Sequence, residues 1–141
     1  MAVGHRERMI TSEATQPQEI IAALSLAGCR AVAGRIGDLC EMSMDGAPDE
    51  PPMVVDSLRE LALFFLSHDH VVDPEIGLTP DGLLLAEWAK AERGFAAMIF
   101  LPGGIVQFAR VSPAGTPGTR HRVRGKLPRD RAFNAMRMFI P

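Results

Sequence analysis

The chain has 141 residues, 47% of them apolar and 23% charged, the size of one domain that buries roughly two thirds of its unfolded surface. General disorder and fibrous repeats are thereby excluded. The net charge of −2 is unevenly spread: residues 1–109 hold 7 Lys+Arg against 16 Asp+Glu, whereas residues 110–141 hold 8 against Asp130 alone.

Residues 1–14 read as a flexible polar leader, followed by a single α+β domain over 15–141. Thr15 and Gln18 have capping-box spacing and Pro17 suits a first turn, so a helix begins near Gln16. Ile21, Leu24, Gly28, Val32, Ile36 and Leu39 continue one apolar stripe to about Met44. Gly28, Gly34 and Gly37 within it predict a bend or close packing, and are read as packing glycines. The segment 45–52, DGAPDEPP, is an acidic connector that cannot be helical. A second helix is expected over about 54–67, capped by Asp56 or by Ser57 with Glu60. Its LALFFL end is apolar all round and so should be wrapped by the rest of the fold.

From residue 74 the pattern changes. Apolar runs are separated by Pro80-Asp81-Gly82, Glu92-Arg93-Gly94 and Pro102-Gly103-Gly104, gaps that fit hairpins and leave no room for parallel crossovers. Strands are predicted at about 75–79, 83–90, 95–101 and 105–111, with a fifth at 119–125. The fifth sets Arg120, Arg122 and Arg124 on one face about 6.6 Å apart. Pro128 then opens a short last helix with Phe133, Met136 and Ile140 as its buried stripe. The fold class is α+β: a four- to five-stranded antiparallel meander, two N-terminal helices and a short C-terminal helix.

No constellation demands a particular chemistry. His68, His70 and Asp73 are metal-ligand types at close spacing and define a hydrolase alternative. Without a further His or Cys cluster, a solvated turn at a helix end is the favoured reading. Pro80-Asp81 with Glu87 and Lys90 resembles a metal-nuclease signature, but Glu87 and Lys90 are three apart and fall on opposite faces of a strand. Cys29 and Cys40 sit on the helical stripe. Eleven residues of helix hold them about 16 Å apart, so they are expected reduced and buried.

The basic segment carries the strongest signal. Arg120, Arg122, Arg124 and Lys126 are the candidate binding residues, for a partner protein with an acidic surface or, alternatively, for nucleic acid. The structural alternative is an edge strand lined with charge against self-pairing. No cofactor and no metal is assigned. The longest apolar run, 61–66, is far below the roughly 18 residues that cross a bilayer. Residues 1–18 lack the apolar stretch of an export signal, so no membrane partner and a cytoplasmic location are expected.

One resemblance accompanies this reading. Phe65-Leu66, Pro74, the strand at 76–78, Thr79-Pro80-Asp81-Gly82, a strand ending in Glu87-Trp88, and a later Gly125-x-x-Pro128 are similar to a pattern in small uncharacterised bacterial proteins. It covers about residues 54–140. Such proteins often belong to mobile-element or toxin–antitoxin settings, which implies a partner-binding role and supplies no catalytic residues; with the basic segment and no catalytic set, a non-enzymatic interaction protein is expected.

Overall fold

The computed structural model describes residues 16–44, 52–68, 71–90, 94–113 and 120–136. The expected leader and nearly all of the acidic connector lie outside that set, as do His70 and Ile140.

Helix α1 (Pro17–Leu26) has Pro17 in its first turn. The Glu19 carboxylate accepts the Gln16 backbone N–H at 3.2 Å. This closes one arm of a capping box, one residue later than the spacing of Thr15 and Gln18 predicts. The single helix expected to Met44 is two: α1 stops, and α2 (Arg30–Met44) starts four residues later. The stop is a Schellman turn. Gly28 takes a φ of +93°, its N–H donates to the Ser25 carbonyl, and the Cys29 N–H donates to that of Leu24 at 2.9 Å. Of the two expectations, the bend therefore forms, at Gly28, and the packing role read for the glycines does not hold. Among the described residues, no atom beyond the chain neighbours and the helix's own backbone stands within 4 Å of where a Cβ would sit at Gly28, Gly34 or Gly37.

Helix α3 (Val55–Ser67) is capped at Val54, not at Asp56 or Ser57. Ser57 is fully buried, and its hydroxyl donates to the Phe100 carbonyl while accepting the Leu84 N–H at 2.8 Å. A local capping group has become a pin between helix and sheet. Residues 61–66 are all buried, as their unbroken apolar run requires.

The sheet has five strands in chain order: β1 (Glu75–Leu78), β2 (Leu84–Lys90), β3 (Gly94–Leu101), β4 (Ile105–Pro113) and β5 (Arg120–Pro128). All neighbours are antiparallel. In the first turn the Gly82 N–H donates to the Thr79 carbonyl and the Val54 N–H donates to the Gly82 carbonyl, both at 2.9 Å. At φ +82°, Gly82 lies so close to the Pro52 carbonyl that any Cβ would collide with it. The hairpin tip is thereby docked on the chain entering α3. Strand β5 extends past the expected 125, so Pro128 ends it instead of opening a helix. Proline is tolerated there because β5 is an edge. The last helix, α4 (Arg129–Met136), follows directly, with Ala132 buried and Phe133 packed against the core.

The core lies on one face of the sheet. Ile76, Leu84, Ala86, Trp88, Ala96, Met98, Phe100, Val106 and Phe108 are buried, and the register places all of them on that face. Phe64 of α3 stands edge-on to Phe100, with centroids 5.7 Å apart, and to Phe133 at 6.1 Å. Alternating burial on β3, with every second residue buried, is the signature of a sheet covered on one side.

Candidate interaction face

The uncovered face is built from the other half of each strand. Unbroken pairing aligns Glu75, Glu87, Ala97, Ala109 and Arg124 in one row across all five strands. The next row holds Gly77, Leu85, Ile99, Gln107 and Lys126, and on the other side lie Ala89, Phe95, Val111 and Arg122. None of these side chains is buried. The middle of the face is apolar, with Leu85, Phe95, Ile99 and Val111 half-exposed. Its two margins carry opposite charge.

The basic margin is the segment singled out in the sequence. Arg120, Arg122, Arg124 and Lys126 are exposed, and pairing with Pro113, Val111, Ala109 and Gln107 places them all on the open face. A groove of about 390 Å³ between β4 and β5 is lined by Ala109, Val111, Arg122 and Arg124, among others. Other cations of the segment are taken up inside the fold. Arg129 donates to both Glu60 carboxylate oxygens, at 2.8 and 2.9 Å, and Arg110 donates to the Ala135 carbonyl at 2.8 Å. Six of the eight cations of the positive tail thus divide into two structural arginines and an exposed row of four. Among the described residues no ion pair involves that row.

The acidic margin was missed in the sequence. Glu75 and Glu87 are directly opposed on β1 and β2, an arrangement that costs stability because like charges face each other. Asp73 joins them at the rim of a groove of about 210 Å³ with Ala89 and Phe95. Twelve residues separate Glu75 from Glu87 in the chain, so only the hairpin register reveals the pair.

The remaining candidates find other places. His68 ends α3, where a solvated turn was expected. Its ring instead stacks on Phe133, centroids 3.9 Å apart and planes within 9°, and meets Phe64 edge-on. Among the described residues no group of three His, Cys, Asp or Glu side chains could hold a metal ion, and His70 lies outside them. The register from Leu84↔Phe100 to Lys90↔Gly94 has no bulge, so positions 87 and 90 stand on opposite faces, as alternation predicts. Cys29 and Cys40 form no disulfide and are half-buried rather than buried; Cys29 lies in the turn before α2 and Cys40 beside the buried Leu39. The Cys40 thiol approaches the Met53 sulfur at 3.7 Å, and burial pushes its pKa up.

Fold and face together define an α+β domain with an open, charge-divided antiparallel sheet. The chain matches no family model, and neither curated proteins nor solved structures give a match. No helix among the described residues is long and apolar enough to cross a membrane.

Proposed function

We propose that this protein is a non-enzymatic interaction module, an antitoxin-, immunity- or inhibitor-type partner of another bacterial protein in the cytoplasm. Its contact surface is the open sheet face, with Arg120, Arg122, Arg124 and Lys126 meeting carboxylates of the partner. The observation that carries this reading is the exposed cation row beside a half-exposed apolar strip. Arginine on a strand offers planar, paired contacts to carboxylates, and the strip supplies the apolar centre that protein interfaces have.

The opposing margin of Asp73, Glu75 and Glu87 favours a protein over nucleic acid, since a polyanion laid across the face would meet its own charge. Two experiments test the proposal. Affinity capture from the native host should recover a partner with the wild-type chain and lose it with the R120E/R122E/R124E variant, at an unchanged thermal midpoint. Capture that survives the triple reversal refutes the assignment. A gel shift that weakens steeply with salt would transfer the same cations to the nucleic-acid alternative.

A further inference from the structure

We propose that a second copy of this chain occupies the open face, forming a two-fold sheet-on-sheet dimer. The inference rests on the reading of that face as a binding surface; the copy and the other protein compete for Arg122 and Arg124, so the dimer is the form the chain takes when that protein is absent.

The argument is geometric. A two-fold axis running along β3 turns the sheet over onto its copy, setting β1 over β5, β2 over β4 and β3 over itself. The row Glu75, Glu87, Ala97, Ala109, Arg124 then meets its own reverse. Glu75 of one copy faces Arg124 of the other, Glu87 faces Ala109, and the two Ala97 residues meet at the axis. One row along, Asp73 lies beyond Ala89 at the same margin and comes over Arg122, with Phe95 above Phe95. In the row on the other side Ile99 meets Ile99 and Leu85 lies over Gln107. A single operation brings carboxylates to guanidiniums at both margins and apolar side chains together in the middle, as a closed isologous interface requires.

Chemistry and size agree. Glu75 and Glu87 oppose each other within one chain, and Arg124 of the copy, facing Glu75, offsets that repulsion. Ala97 and Ala109 in the central row permit the roughly 10 Å approach of stacked sheets, and long arginines span the gap at the rim. Five strands at about 4.8 Å spacing and about eight residues at about 3.3 Å give a face of roughly 600 Å² in projection. Its accessible area is of the order of the roughly 800 Å² per partner of a standard interface. Pairing β5 edge to edge would instead set arginine rows side by side, so the stacked arrangement is the one the charges select.

Sedimentation equilibrium of the full chain tests this. The wild type should have twice the chain mass. The variants R122E/R124E and D73R/E75R, altered only at exposed positions, should each be monomeric with an unchanged far-ultraviolet spectrum. Mixing these two variants should restore a dimer, because each altered margin then faces its complement. A monomeric wild type at millimolar concentration, a dimer that persists in both variants, or a mixture that stays monomeric would each overturn the proposal. If the wild type is monomeric while partner capture still depends on Arg120, Arg122 and Arg124, this inference alone falls. If capture is also independent of them, the functional reading of the face falls with it.

Discussion

Ser57 is the buried polar side chain that pins α3 to the sheet. It is fully buried and joins the Leu84 N–H to the Phe100 carbonyl, two residues that are themselves a cross-strand pair. Ser57→Ala leaves both backbone groups without the hydroxyl in a dry site and should destabilise by about 2 kcal/mol, read as a lower urea midpoint at unchanged slope. Cys40 gives a second test. Burial raises its thiol above the usual 9.0, so the native state favours the neutral form. The stability it contributes is present in full below the unfolded pKa and is lost as pH rises through the folded one. Cys40→Ala should therefore flatten the alkaline fall of the thermal midpoint and leave its behaviour at lower pH unchanged.

At the scale of elements, glycines within one apolar stripe have opposite roles. Gly28 stops α1 at positive φ, whereas Gly34 sits inside α2, exposed, with open space where a Cβ would go. Gly34→Ala should raise stability by about 0.5–1 kcal/mol and Gly28→Ala should lower it by about 1 kcal/mol, both measurable by thermal melting. The stripe's periodicity foretold helix along this whole stretch but could not say which of three glycines breaks it. The choice depends on how α1 and α2 pack. Hairpins were legible because each turn needs only a few adjacent residues, and the strand limits followed closely. Ser57 was misread for the converse reason: near a helix start it has the same local signature as a cap, and its partner at residue 100 is 43 positions away. The arginine row could be read from alternation within one strand. The opposing carboxylates needed the register between two strands. The Glu60–Arg129 clasp ties α3 to the start of α4, and Glu60→Gln should cost about 1–2 kcal/mol, less in high salt.

For the whole molecule, the buried apolar side chains of the described strands fall on one face of the sheet, and Glu75, Glu87, Arg122, Arg124 and Lys126 fall on the other. Stability thus rests on the covered face, and the recognition proposed above would use the other. Substitutions at Ile99, half-exposed on the open face, should change association while the unfolding midpoint of the isolated chain moves little. Substitutions at Met98, fully buried one residue before it, should unfold the protein. Met98→Ala is expected to remove about 2–5 kcal/mol. Light scattering on Ile99→Arg beside calorimetry on Met98→Ala separates the two effects.

The placement of α3 has a consequence for synthesis on the ribosome. Residues 61–66 are wrapped on one side by strands and on another by α4, which ends at residue 136. That part of the cover is encoded downstream, whereas α1, which also packs on α3, precedes it. At translation speeds of roughly 5–20 residues per second, an apolar helix waits roughly 3–14 s for it. Nascent chains stalled before α4 should recruit chaperones through Phe64 and Phe65, and release them once the final turn emerges.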